Sequence, residues 1–333
     1  MAADEFAIIR DLFAPLAKDD AARGLIDDVA VMQARGALVV STDVIVEGVH
    51  FLPGDPLDTV ARKALRVNVS DLAAKGAKPI AAVLNLIWPD ARPSDDIAVF
   101  ARGLGEDLQH YGIALLGGDT ARTPGPLTVS MTVLGEPYGE RTPSRADAQL
   151  GDQVWVTGVV GEAFLGLMLL TEQPAILGAA PGDRVDDTAR RAMNRYRVPE
   201  PPATFAPVIA NHARASMDVS DGLIADAEKL AGASGVGIRI DADAVPLSSG
   251  GEAYVAREGK AGLLRLLNGG DDYQALFTAG PEARSAIQQA GRVLGVNVAL
   301  IGDVEAGGGV RVIGADGREL SGAAGGHRHQ LGQ

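Results

Sequence analysis

Carboxylates recur along this chain beside hydroxyls and glycines: Asp27-Asp28, Ser41-Thr42-Asp43, Ser70-Asp71, Gly117-Gly118-Asp119 and Asp218-Val219-Ser220-Asp221. Such hard oxygen donors suit magnesium rather than zinc or copper. With no cysteine in 333 residues, disulfides, thiolate catalysis and cysteine-ligated metal centres are excluded. Taken singly, each acid is equally an ordinary turn or capping residue, because Asp bonds its own backbone in such places. Taken together, they are expected to converge on Asp43 and hold cations.

Magnesium gathered by several carboxylates usually serves phosphates, since the metal neutralises charge that bare carboxylates would repel. ATP is therefore the expected ligand. The chain has neither the phosphate loop that ends in Gly-Lys-Ser/Thr nor a protein-kinase glycine loop with its His-Arg-Asp signature, so a nucleotide site here belongs to another fold. The two glycines before Asp119 can bring backbone close to a ligand as an anion-binding nest, or simply form a tight turn. Arg141 and Arg145, in the polar segment 135–148, are candidates for phosphate oxygens or else solvated cations. His50, between Val49 and Phe51, is either a core histidine or a neighbour of the same site.

These residues must be positioned by strands and helices. The apolar run 37–40 reads as a buried strand that delivers Ser41, Thr42 and Asp43 at its carboxyl end, the edge at which open α/β sheets bind ligands. Further strands are expected at 79–88, 113–116, 127–134, 153–157, 236–240, 274–278, 300–304 and 310–313. Phe6, Ile9, Phe13 and Leu16 mark an amphipathic helix over 4–17. Other helices are expected over 56–76, broken near Asn68 with Ser70-Asp71 as a second cap, over 94–111 with Ser94 as cap, over 162–170, and over 223–231 with Ser220 or Asp221 as cap. Alternating strands and helices in both halves indicate α/β architecture, with domains 1–150 and 151–333. Residues 173–187 read as a surface loop. The glycine-rich tail carries His327 and His329, an incidental metal binder.

The formal net charge of −13 argues against nucleic acid or an anionic membrane as partner. No apolar stretch is long enough to span a bilayer, and the first residues lack the pattern of a signal peptide. A cytoplasmic protein is expected.

The motifs Ile26-Asp27-Asp28-Val29-Ala30, Ser41-Thr42-Asp43, Gly48-Val49-His50-Phe51, Asn68-Val69-Ser70-Asp71, Gly117-Gly118-Asp119-Thr120, Asp218-Val219-Ser220-Asp221-Gly222 and Gly269-Gly270-Asp271-Asp272-Tyr273 resemble, in this order, the thiamine-monophosphate kinase family. That family sits in the superfamily of aminoimidazole ribonucleotide synthetase and selenophosphate synthetase. The resemblance implies an α/β (α+β type) fold, with an N-terminal half whose strands form a barrel across a homodimer interface and a C-terminal α/β half that closes over nucleotide. It implies transfer of the ATP γ-phosphoryl group to thiamine monophosphate, with several Mg2+ ions and K+ as a further candidate cation. Asp28, Ser41, Thr42, Asp43, Asp71, Asp119, Asp218 and Asp221 would then be metal ligands. Gly118, Asp119, Arg145 and Ser220 would hold ATP, and His50 and Asp271 would meet the thiamine phosphate, with Asp43, Asp119 and Arg145 carrying the catalysis. Asp271 stands where the family has Glu, Ile26 where it has Gly, and Gly325-Gly326-His327-Arg328-His329 lacks the family's aromatic. The missing cysteine disfavours a selenophosphate synthetase. The alternatives are an aminoimidazole ribonucleotide synthetase-like enzyme and a non-catalytic magnesium- or nucleotide-binding protein.

Overall fold

The computed structural model describes residues 5–26, 29–33, 36–171 and 187–320. Asp28, most of the 173–187 segment and the histidine-bearing tail lie outside the described residues. The chain divides into two compact units: Met1–Leu72 with Ala77–Pro137, and Ala73–Gly76 with Tyr138–Gln333.

In the first unit, β1 (Val39–Val46), β2 (Ala77–Pro89), β3 (Ala114–Thr123) and β4 (Thr128–Pro137) form one sheet in the order β1-β4-β2-β3. Only β2 and β3 run parallel. Short α1 (Glu5–Ile8) continues through a π turn and a 3-10 turn to Leu16, so the N-terminal helix is broken into three pieces. Helix α2 (Leu57–Ala74) crosses β4 where Gly135 admits Leu72; a Cβ at Gly135 would lie 2.5 Å from that side chain. Helix α3 (Ile97–Tyr111) packs on α2, and the Arg66 guanidinium donates twice to buried Asp107, at 2.5 and 2.9 Å, to tie the two together.

Four expectations change here. Helix α2 is unbroken, because Asn68 satisfies its amide nitrogen on the Ala64 carbonyl one turn back (3.1 Å) and Val67, Val69 and Leu72 carry the buried face onward. Ser70-Asp71 thus lies inside the helix, near its C-terminal end, rather than at a cap. Helix α3 is preceded by a 3-10 turn, Ser94–Asp96, at whose start no side chain caps. Strand β1 is not buried: it is the sheet's edge, and Val40 and Val44 are 58% and 47% exposed. Gly117 and Gly118 lie inside β3 rather than in a turn, so the nest reading fails. Gly118 is required there because an added Cβ would sit 1.7 Å from the Leu84 carbonyl oxygen.

In the second unit, β5 (Gln153–Thr157), β6 (Ser216–Val219), β7 (Gly237–Asp241), β8 (Gln274–Ala279), β9 (Val298–Glu305) and β10 (Gly309–Ile313) form a sheet in the order β10-β7-β9-β5-β8-β6. Its helices are α4 (Glu162–Thr171), α5 (Asp187–Arg197), α6 (Ala206–His212), α7 (Leu223–Ser234), α8 (Ser249–Asn268) and α9 (Arg284–Leu294). Both faces of the sheet are covered. Val154, Val156 and Leu276 pack with Leu223 and Ile224 of α7, while Trp155 and Phe277 pack with Phe205, Ile209 of α6 and Ile287 of α9. Burying such an aromatic contributes about 2–3 kcal/mol. That two-sided burial explains why the centre of β5, Val154-Trp155-Val156, is apolar without alternation.

Candidate functional site

In the first unit the site is built on β1 and α2. Strand alternation puts Ser41 and Asp43 on one face and Thr42 on the other. The run Ser41-Thr42-Asp43 therefore does not deliver three side chains to one point. Ser41 Oγ donates to an Asp71 carboxylate oxygen from α2. Thr42 Oγ1 instead donates to the Met131 carbonyl at 3.1 Å and accepts from Thr132 Oγ1 at 3.0 Å. Burial and the neighbouring Asp71 carboxylate push the Asp43 carboxyl up to about 7. Two partly buried carboxyls that resist joint ionisation, next to a hydroxyl, are a donor set that a hard divalent cation would relieve.

Asp119 stands apart from this pair. It lies on β3 opposite Asn85, which pairs with Ser130 and through it with Val44, so it occupies a different row of the sheet from Asp43. Three strand spacings separate β1 from β3, roughly 14 Å. Among the described residues no three His, Asp or Glu side chains gather in a metal-holding group. Asp119 and Gly118 instead border a cavity of about 130 Å³ walled by Phe13, Leu25, Leu84 and Leu115, which sequence reasoning missed because its walls come from five separate stretches.

His50 sits in the turn that follows β1. Its Nδ1 accepts the Val46 amide at 3.1 Å, and its carbonyl accepts from the ammonium of Lys63, a buried side chain of α2, at 2.8 Å. Nothing in the sequence marks Lys63 as buried or His50 as anchored in this way. A lysine in a helical pattern reads as solvent-facing.

In the second unit two acid-bearing loops interlock. The Asp271 amide donates to the Ser220 carbonyl at 2.9 Å and the Tyr273 amide to the Val219 carbonyl at 2.8 Å. A Cβ on Gly270 would lie 2.4 Å from the Ser220 carbonyl oxygen, so only glycine allows this approach. Tyr273 Oη donates to Asp271 Oδ1 at 3.1 Å, and Asp271 and Tyr273 adopt positive φ, 68° and 50°. Asp218 is buried at the end of β6. Ser220 and Asp221 do not cap α7, whose first turn is preceded by Gly222 at φ 113°. Their amides both donate to Asp226 Oδ2 at 2.9 Å.

Asp226 is fully buried, and burial raises its pKa against the lowering effect of Lys229. Burial opposes charge on Lys229, but hydrogen bonds to Asp221 and Asp226 outweigh it and raise its pKa. Asp272, buried as well, accepts the amides of Gly161 at 2.7 Å and Ala163 at 3.5 Å, and burial raises its pKa well above the ordinary carboxylate range. Arg145 is exposed; its backbone carbonyl accepts Ser234 Oγ at 2.9 Å, which ties its loop to the end of α7. Arg141, by contrast, pairs with Asp147 at 3.3 Å.

Residues 26–136 match the model of the AIR synthase related protein, N-terminal domain, and residues 150–315 that of the C-terminal domain. The paired domains and their acid-bearing strands and loops thus define an AIR synthase related protein. The thiamine-monophosphate kinase of Caulobacter vibrioides is 42% identical over 312 residues, covering 92% of this chain and 85% of that protein. The solved thiamine-monophosphate kinase from Stenotrophomonas maltophilia K279a superposes with a TM-score of 0.81 at 36% identity, over 96% of this chain and 98% of that one. A structure described as AaThiL complexed with AMPPCP and TMP gives a TM-score of 0.75 at 32% identity, over 97% of each chain. The chain belongs to the thiamine-monophosphate kinase family.

Proposed function

We propose that this protein transfers the γ-phosphoryl group of ATP to the phosphate of thiamine monophosphate, giving thiamine diphosphate and ADP. The observation that carries the reading is the Asp43–Asp71 pair beside Ser41, an oxygen site whose charges call for a divalent cation. The relative complexed with AMPPCP and TMP supports a triphosphate and a monophosphate as the two substrates.

In the first unit Ser41, Asp43 and Asp71 would hold Mg2+, which would neutralise phosphate charge and polarise the transferred group, with Asp28 and, on another row of the sheet, Asp119 as further acids. The Thr42 hydroxyl faces the other side of β1 and is not part of that set, and in the second unit Asp218 and Asp221 are a separate candidate pair. The acceptor is a phosphate oxygen that is ionised at neutral pH, so no side chain need remove a proton. One bond forms from that oxygen to the γ-phosphorus, and the bond from the γ-phosphorus to the β,γ-bridging oxygen breaks. In the first unit the Gly118 backbone is a candidate contact for ATP; in the second unit the Ser220 hydroxyl and the exposed Arg145 guanidinium are separate candidates for its phosphates. The apolar walls beside Gly118 and Asp119 suit the nucleoside. In the first unit His50, held by Val46 and Lys63, is a candidate to meet thiamine monophosphate; in the second unit Asp271, held by Tyr273, is a separate candidate for the same substrate. Rate then comes from in-line placement and charge neutralisation. The working protein is a cytoplasmic homodimer, in which the exposed edge of β1 is available to a second copy; K+ is a candidate further cation. Among the described residues no helix is long and apolar enough to cross a membrane.

The test is thiamine diphosphate formation from thiamine monophosphate, ATP and Mg2+, with thiamine and an aminoimidazole precursor as parallel substrates. Product from the monophosphate alone, abolished by a chelator, is expected. ATP binding without product would overturn the assignment in favour of another acceptor or a non-catalytic binder.

A further inference from the structure

Asp226 and Lys229 of α7 have no part in the reaction described above, yet together they bond the backbone and side chain of the β6–α7 loop. One oxygen of Asp226 accepts two backbone amides, from Ser220 and Asp221, and the other accepts the Lys229 ammonium at 2.7 Å. The same ammonium also donates to the Asp221 carboxylate. Exposure is graded across this chain of contacts: the side chains of Asp226, Asp221 and Lys229 are 0%, 27% and 40% accessible.

We propose that Lys229 is a tethered counter-cation that occupies Asp221 until a divalent metal ion displaces it, with Asp226 as the fixed anchor that keeps the ammonium on α7. The proposal rests on Asp221 being a metal ligand. Asp226 is immobilised by burial and by three hydrogen bonds, and it lies one helical turn before Lys229, a spacing at which the two side chains meet. Lys229 has a flexible stem and an accessible head, so it can release Asp221 while staying bound to Asp226. An ammonium on a carboxylate repels any cation that approaches the same oxygens. Lys229 therefore sets a threshold. The loop stays neutralised when metal is scarce, and metal entry at Asp221 requires the lysine to swing away.

Mn2+ alone is the probe, with free ion followed by its electron paramagnetic resonance signal on the full chain without nucleotide. Asp221→Asn should lose a Mn2+ site. Lys229→Met should tighten that site, roughly three- to tenfold for an exposed charge, while Lys229→Arg, which keeps the charge, should bind as the wild type does. In the wild-type protein, reductive methylation of Lys229, read by mass spectrometry, should accelerate when Mn2+ is added, with Lys260 unchanged as the control. An Asp221→Asn protein that binds Mn2+ as the wild type does would remove the metal reading and the proposal with it. A site lost in Asp221→Asn but unchanged or weakened in Lys229→Met would overturn the proposal alone. Should Lys229→Met fail to fold, the methylation rates decide: a rate that is flat or slower with Mn2+ rejects the latch.

Discussion

Asp43 on the edge strand and Asp71 in the last turn of α2 meet as a carboxyl pair that cannot easily bear two charges; burial and this partner push Asp43 up to about 7. Between about pH 4 and pH 7 the folded protein thus holds a proton that the unfolded chain has released. Without metal, stability should fall as pH rises through that window. Asp226 and Asp272, whose pKa values are also raised, add to the same trend. Melting temperatures in chelator from pH 5 to 7.5 should decline, Asp43→Asn should flatten the slope, and millimolar Mg2+ should offset the loss near neutrality. A wild-type melting temperature that rises across this range in chelator would contradict the pairing.

Asp43→Asn and Asp119→Asn are each expected to lower thiamine diphosphate turnover by about a hundredfold or more, because each removes charge that would hold metal and phosphate. The two should differ in the free protein. Only Asp43→Asn relieves a repulsion within the fold, so it should keep or raise the melting temperature, whereas Asp119, exposed on β3, should be neutral. Turnover and melting curves on both variants check this. Full activity in either removes that residue from the metal assignment.

The adjacent glycines of β3 should behave differently. A methyl at Gly118 meets the Leu84 carbonyl oxygen at 1.7 Å, whereas one at Gly117 meets nothing within 4 Å. Gly118→Ala should cost about 1–3 kcal/mol or more through forced backbone movement, and Gly117→Ala little. Urea unfolding of the pair decides, and equal stabilities would show that β3 does not approach β2 as described.

Asp272 is legible in the sequence only as one of two adjacent acids, but in the fold it accepts the amides that open α4. Asp272→Asn keeps an acceptor oxygen and should be tolerated. Asp272→Ala leaves buried amides unpaired and should cost about 2–5 kcal/mol. Chemical denaturation of both proteins tests the difference.

Much of this architecture is visible in the chain because burial on both faces leaves a plain apolar signature: residues 153–157, between Asp152 and Gly158, could hardly be other than an inner strand. The motif order that marks the family is equally legible. What the sequence hides is geometry that depends on non-local partners. Ser70-Asp71 reads as a cap until the buried residues on either side show α2 running through it. Gly117-Gly118 reads as a turn until β2 is placed beside it. Helix α8 carries glycines at 250, 251, 259 and 262, which obscure its periodicity, and Asp226 looks like any acid on an amphipathic helix until its carboxylate is found under the Ser220 and Asp221 amides.

The left-handed backbone at Asp271 and Tyr273 has a consequence for engineering. Asp tolerates that conformation better than most side chains, but tyrosine does not, and each such residue costs on the order of 1 kcal/mol relative to glycine. A search for hardier variants by thermal selection would therefore be drawn to these two positions. Glycine at 273 would relax the backbone and at the same time delete the hydroxyl that steadies Asp271. If Asp271 holds substrate as proposed, heat tolerance and substrate grip would pull in opposite directions on the same loop.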